Sequence, residues 1–313
     1  MAAAHLPVML DEAVAALALA EANLVVDATF GGGGHARRIL DELGPDGKLV
    51  GIDRDPDAAR RATQIQDDRF TFRPGAYDEV LREMVGRGER VDAILFDLGL
   101  SSFQVDEAGR GFSYVREGPL DMRMDPDFGI SAADYLNTVD EGDLSRVLSG
   151  YGDVPRGQAR RVAREISRRR PLSTTLDLAN AVRAAVGWVE RGGNPAKRVF
   201  QAVRVHVNDE MGSLRRALEA TEQLLVPGGR LVAITFHSGE DRAVKRFIAD
   251  REGRCVCPPE LPVCVCGARP MFRRGAVGRP SEREIDENPR SASARLRVAI
   301  RTSEPADVGR DDG

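Results

Sequence analysis

Three aspartates, each closing a short apolar run, are the side chains of this sequence best placed for chemistry. Leu24-Val-Val leads into Asp27, Leu49-Val-Gly-Ile into Asp53, and Ala93-Ile-Leu-Phe into Asp97. Runs of this kind fill buried parallel strands. In an open parallel sheet, ligands bind beyond the carboxyl ends of the strands, so the three carboxylates are expected along one edge. Four consecutive glycines, Gly31, Gly32, Gly33 and Gly34, follow Asp27 and precede His35. A residue without Cβ lets the backbone take positive φ and approach a ligand closely. Strand, glycine turn and helix in that order form the first unit of a doubly wound nucleotide-binding domain. Asp53 stands 20 residues after Gly33, where an acidic side chain can accept both hydroxyls of a ribose. A cofactor with an adenosine moiety is the expectation.

Asp27 narrows the choice. In dinucleotide oxidoreductases the first strand runs directly into its glycines, whereas here Asp27-Ala-Thr-Phe separates strand from turn. The pattern Asp-x-Thr-x-Gly-x-Gly resembles the first motif of S-adenosylmethionine-dependent methyltransferases, especially those acting on exocyclic amines of nucleobases. A carboxylate suits the positive end of a sulfonium amino acid and would repel a pyrophosphate. An exocyclic amine is a poor nucleophile because its lone pair is delocalised into the ring, and acceptors aimed at the amine hydrogens can localise that pair. Asp97 holds the position of such an acceptor. The Asp-Pro-Pro-Tyr of amine methyltransferases reads Asp97-Leu-Gly-Leu-Ser-Ser102 here, so the acceptor is kept while the prolines and the stacking aromatic are not. Phe103, Phe112 and Tyr114 are alternative stackers that spacing does not separate. A nicotinamide-dependent oxidoreductase and a non-catalytic RNA-binding protein are the rival readings.

The elements that must position these residues follow from periodicity. A helix carrying Leu10, Val14 and Leu17 should pack beside the first strand. Strands are expected at 24–27, 48–55, 70–74, 91–98 and 230–236, with a final edge strand at 294–301. Helices are expected after the glycine turn, over 78–87, over 203–225, and after His237. Residues 99–125 form a long loop rich in arginine and aromatics, and loops of that length inside compact domains are functional or disordered. Residues 131–193 read as several short helices without a strand. The fold expected is α/β, a Rossmann-like class I methyltransferase sheet over 1–110 and 200–313, with a helical insertion at 111–199 as an RNA-recognition subdomain. Residues 302–313 are polar and acidic, as in disordered tails.

With 313 residues, 42% hydrophobic and 30% charged, the chain can bury a sizeable core. No apolar run approaches the roughly 20 residues of a membrane span, and the N-terminus lacks the regions of a signal peptide, so a cytoplasmic protein is expected. The net charge of −4 gives no global basic field. Residues 156–170 nevertheless hold seven arginines against the single Glu165. With Ala159, Val162, Ala163 and Ile166 on one helical face, Arg160, Arg161, Arg164 and Arg168 lie on the other, as a solvated face or a phosphate-contacting one. Cys255, Cys257, Cys264 and Cys266 are clustered, which in a cytosolic chain argues for zinc or reduced thiols before disulfides. No histidine pair has ligand spacing, so no catalytic metal is expected.

Several stretches together resemble one family, the bacterial 16S ribosomal RNA cytosine-N4 methyltransferases of the MraW/RsmH type. They are His5-Leu-Pro-Val-Met-Leu, Asp27-Ala-Thr-Phe-Gly-Gly-Gly-Gly-His35, Asp97-Leu-Gly-Leu-Ser-Ser-Phe-Gln104 and Arg110-Gly-Phe-Ser-Tyr. Phe200-Gln-Ala-Val-Arg204, Val207-Asn-Asp-Glu210, Phe236-His-Ser-Gly-Glu-Asp-Arg242 and Asn288-Pro-Arg290 continue the series. The resemblance implies S-adenosylmethionine as donor and N4 of a cytidine in the decoding region of 16S rRNA, in the small ribosomal subunit, as acceptor. It also implies a cofactor site lined by Gly33, Gly34, His35, Asp53, Tyr77, Asp97 and Gln104, to which the glycine reading adds Gly31. Tyr77 stands where phenylalanine is common, and Gly239 where leucine is usual. The oligomeric state, monomer or homodimer, is not fixed by these residues.

Overall fold

The computed structural model describes residues 7–187, 194–253, 258 and 269–303. The four cysteines, His5 and the tail from 304 lie outside the described residues. The chain divides into two compact units, Met1–Gly99 with Ser213–Gly313, and Leu100–Gly212.

The first unit is built on a seven-stranded sheet. In chain order its elements begin with α1 (Leu10–Leu17), β1 (Leu24–Asp27), α2 (Gly34–Glu42), β2 (Lys48–Asp53) and α3 (Pro56–Ala62). They continue with β3 (Phe70–Pro74), α4 (Tyr77–Gly86) and β4 (Val91–Asp97). The second unit holds α5 (Ser102–Asp106), α6 (Ala132–Thr138), α7 (Glu141–Tyr151), α8 (Arg156–Arg169), α9 (Thr175–Val186) and α10 (Ala196–Val207). The sheet resumes after α11 (Glu210–Leu224) with β5 (Leu225–Thr235), α12 (Ser238–Asp250), β6 (Phe272–Gly278), α13 (Glu282–Glu287) and β7 (Arg295–Arg301).

Strand order is β3-β2-β1-β4-β5-β7-β6. The five strands from β3 to β5 are parallel, and β7 is antiparallel to both β5 and β6. Register sets Asp27 beside Gly51 and Leu95, and Asp97 beside Ile234, so β1, β2 and β4 end together. Side chains alternate across the sheet. Val25, Leu49, Leu95, Val232 and Val298 join α1, α2 and α3 in one core, while Val26, Val50, Ile94 and Phe96 are as fully buried on the other face. A fully buried aliphatic side chain contributes roughly 1.5–3 kcal/mol, which anchors the strand ends that carry the aspartates.

Four expectations are corrected here. β7 is not an edge strand, because β6 lies outside it. The sequence Phe-Arg-Arg-Gly-Ala-Val-Gly of β6 buries Phe272 and leaves most of its other side chains at the surface, so it lacks the apolar alternation that marks a strand. The helix expected over 203–225 is two helices, broken at Asp209, whose φ is +47°. Arg204 and Glu210 close that break with paired hydrogen bonds of 2.7 and 2.8 Å. Helix α1 packs mainly against β5 and β4 rather than β1. The units divide at 99/100 and 212/213 rather than 110/111 and 199/200, because α10 shares the core of α7 and α9.

The helical unit has its own core, with Leu144, Leu148, Val162, Ile166, Leu178 and Val203 buried at its centre. The 99–125 segment is tied down by its backbone. Asn208 accepts from the Met124 N–H at 2.7 Å and donates to the Met122 carbonyl at 2.8 Å. Among the described residues, no helix is long and apolar enough to cross a membrane.

Candidate active site at the carboxyl edge of the sheet

The glycine turn is anchored to the strand ends beside it. Ala28 N–H donates to Leu95 O and Phe30 N–H to Ile52 O, each at 2.9 Å. Gly31 and Gly33 have φ of +52° and +74°, and a Cβ on Gly33 would lie 2.7 Å from the Phe30 ring. Asp53 accepts from Gly31 N–H at 2.7 Å and, through its other oxygen, from Asp55 N–H at 2.9 Å. The acidic end of β2 therefore clamps the turn, a role that sequence spacing does not reveal. Each oxygen retains a lone pair for a further donor.

Asp27 and Asp97 are held differently. Asp27 is 1% exposed and takes one hydrogen bond, from Thr29 N–H at 3.2 Å, leaving Oδ2 buried without a partner. Burial pushes its pKa up to about 7, with the nearby Asp53 charge adding to the rise. Asp97 has its backbone N–H fixed at 2.6 Å on the Thr29 hydroxyl, while its Oδ1 is buried and unpartnered. Burial, then the charges of Asp27 and Glu240, raise the Asp97 carboxyl well above its ordinary value. Asp53 is raised as well, chiefly by burial.

His35 opens α2 with its ring 5% exposed. Its Nε2 lies 3.2 Å from the Val8 carbonyl and its Nδ1 lies 3.5 Å from Asp97 Oδ2. A carbonyl only accepts, so Nε2 carries a proton, and a neutral ring then turns a lone pair toward Asp97. A carboxyl that favours its protonated form resolves that contact. Tyr77 opens α4 and packs edge-on against Phe96, with ring centroids 5.7 Å apart.

Glu240 was not anticipated as part of this electrostatic group. It is 3% exposed on α12, where its Oε2 accepts from the N–H groups of Phe236 and His237 at 2.8 and 3.2 Å. His237 caps the helix through Nδ1, so α12 starts at Ser238 despite the neighbouring Gly239. The reciprocal cap resembles Ser/Thr-x-x-Glu, but a histidine in the capping position hid the signal.

The structure thus brings Gly31, Gly33, Gly34, His35, Asp53, Tyr77 and Asp97 into the sheet unit, on the turn, the strand ends or the first turns of helices. Gln104 belongs to the helical unit, where it completes a capping box with Ser101. Of the candidate stackers, Phe112 is buried in the helical core and Tyr114 packs edge-on against Phe200, while Phe103 is 39% exposed.

Two unpartnered carboxylate oxygens beside a positive-φ glycine turn suit a ligand with a cationic end. A buried carboxylate left alone is strongly disfavoured, and a cation restores it. The donor set fits an adenosine-bearing sulfonium amino acid.

Residues 2–302 match the family model described as the MraW methylase family. The chain is 74% identical over 306 residues to the ribosomal RNA small subunit methyltransferase H of Rubrobacter xylanophilus, covering 97% of this chain and 98% of that one. It is 44% identical to the protein of the same name from Heliobacterium mobile, covering 94% and 98%. To that of Chromohalobacter salexigens it is 48% identical, covering 94% and 91%.

Proposed function

Because the chain belongs to the MraW methylase family, we propose that it is an S-adenosylmethionine-dependent methyltransferase of small-subunit ribosomal RNA. The acceptor in this reading is N4 of a cytidine in the decoding region of 16S rRNA. The observation that carries it is the pair of buried, unpartnered oxygens, Asp27 Oδ2 and Asp97 Oδ1, at the glycine turn. Gly31, Gly33, Gly34 and His35 would hold the amino-acid end of the donor, Asp53 its ribose and Tyr77 its adenine. When bound, the sulfonium supplies an electrophilic methyl group and leaves as a neutral thioether.

Asp97 has two tasks in this mechanism. As a carboxylate it accepts a hydrogen of the target amine and directs the nitrogen lone pair toward the methyl carbon. Bringing nucleophile and methyl group into line is the main contribution expected of the protein, together with exclusion of water. With the donor bound, the methyl group would pass from sulfur to N4, and the amine would give up one proton. Asp97 is suited to hold that proton, because burial and the charges of Asp27 and Glu240 favour its acid form once the cation is gone. Once Asp97 carries that proton it can donate to Nδ1 of His35, whose ring is fixed on Val8 O. The helical unit, with its arginine-rich α8, is the RNA-contacting part of this reading.

The test is tritium transfer from S-adenosylmethionine to 30S subunits lacking the modification, followed by nucleoside analysis. Label in N4-methylcytidine is the expected result. Label in another nucleoside would refute the acceptor assignment, and no label with any form of the RNA would refute the activity.

A further inference from the structure

Helices α7 and α8 of the helical unit flank a groove of about 670 Å³. Glu141, Gly142, Ser145, Arg146, Ser149 and Gly150 line it along α7, and Arg156 and Arg160 along α8; Glu141, the one acidic side chain of the lining, lies 3.7 Å from Arg164. The lining has no aromatic ring on which a base could stack and no large apolar side chain that could receive one from a peptide. It offers a small, polar floor beneath guanidinium groups.

The charges of α8 are not distributed evenly. Arg168 and Arg169 share Glu165, Arg164 lies 3.7 Å from Glu141, and Arg170 donates to the carbonyls of Leu136 and Val139. Arg146, the arginine that α7 adds to the groove, pairs with Asp143. Arg156, Arg160 and Arg161 are exposed and have no acidic partner among the described residues. Unpaired cations thus collect at the groove end of the helix. Their placement does not serve the fold, because like charges four residues apart repel and arginine in a first helical turn opposes the macrodipole. Four residues of helix set Arg156 and Arg160 about 6 Å apart along the axis, and an arginine fork matches phosphate oxygens.

We propose that the α7–α8 groove binds the sugar–phosphate backbone of the RNA substrate, with Arg156 and Arg160 as its phosphate contacts. The groove gives register and affinity and reads no base. The assignment rests on the reading of the chain as an RNA methyltransferase.

The experiment measures binding of unmodified small-subunit rRNA, and methyl transfer to it, across a salt series. The proteins compared are the full chain, R156E/R160E, R156K/R160K, and S145E from the opposite wall. Glutamate near the start of α8 favours the helix dipole, so weakened binding by R156E/R160E cannot be assigned to a melted helix; circular dichroism verifies the fold. Loss of two phosphate contacts makes the salt slope shallower by about 1.4–1.8. The wild-type advantage in Kd then shrinks about sevenfold to twelvefold between 50 and 200 mM salt. S145E should weaken binding as well, and R156K/R160K should retain most of the slope. If wild type methylates the RNA while R156E/R160E and S145E match it in KM and slope, the groove assignment is overturned and the enzymatic reading stands. If wild type methylates no RNA, the enzymatic reading fails, and the groove assignment with it.

Discussion

The carboxyl edge of the sheet and the outer face of α8 carry opposite charges, and burial makes them obey different rules. Asp27 and Glu240 are at most 3% exposed; burial raises Asp27 and Asp97 toward their neutral forms, helped by the charge of Asp53 at Asp27 and by those of Asp27 and Glu240 at Asp97. Arg156, Arg160 and Arg161 lie in solvent, where water and salt screen them at about 8–10 Å. The first region should respond to pH and hardly to salt, the second to salt and hardly to pH. A protein that held one small cation tightly and a long polyanion reversibly would gain from keeping these two regimes chemically distinct.

The largest effect should come from Asp97. Asparagine keeps an acceptor oxygen but takes no proton, so D97N should lower single-turnover methyl transfer by about 10²–10⁴-fold, the range for a positioned acid or base. The salt dependence of RNA binding should not change. If D97N altered the salt slope and spared the rate, the division of labour between the regions would be wrong. D53A comes next. Loss of a hydrogen bond to a charged group, about 1.5–3 kcal/mol, should weaken S-adenosylmethionine binding roughly 10–150-fold by calorimetry. Part of that loss would reflect release of the Gly31 N–H, which S-adenosylhomocysteine binding would report too.

Asp27 gives the comparison its pH axis. With a pKa of about 7, the free protein holds a proton there that a bound cation must displace. Affinity for the cationic donor should therefore fall about tenfold between a plateau above pH 8 and pH 6. S-adenosylhomocysteine, which lacks the sulfonium charge, should show a smaller change, and D27N should flatten the difference. The stability effect has a definite sign. Between about pH 4 and 7 the folded state binds a proton that the unfolded state has lost, so stability falls as pH rises through that window. Thermal melts of wild type and D27N should diverge across that window and run parallel above it.

Much of this arrangement was legible in sequence, for physical reasons. Apolar runs ending in aspartate announced β1, β2 and β4, because a buried parallel strand admits few polar residues before its end. The glycine turn was legible because positive φ at Gly31 and Gly33 restricts the residue type. β6 was not, since an outer strand with Arg273 and Arg274 at the surface has no two-sided core to imprint a pattern. The break at Asp209 was hidden because Val207, Met211 and Leu214 keep helical spacing across it. Bonding partners were also out of reach. Spacing could bring Asp53 and Asp97 to one edge, but not show Asp53 clamping Gly31, the Thr29 hydroxyl holding the Asp97 N–H, or Glu240 biasing Asp97.

The smallest expected effect tests where on α8 the basic region begins to matter. Glu165 accepts from both Arg168 and Arg169, and those guanidiniums hold its carboxyl down at about 2. E165Q would free two arginines, making the helix more basic by one charge without touching the groove. Exposed pairs of this kind contribute little to stability, so the melting temperature should hardly move. Arg168 stands eight residues beyond Arg160, about 12 Å along the helix, which is more than a Debye length at physiological salt. RNA affinity should therefore change by about twofold or less, with the salt slope unaltered. A slope steeper by about 0.7–0.9 would add one phosphate contact. It would extend the RNA path along the whole of α8, and the contrast drawn here between its paired and unpaired ends would then be one of ion pairing alone.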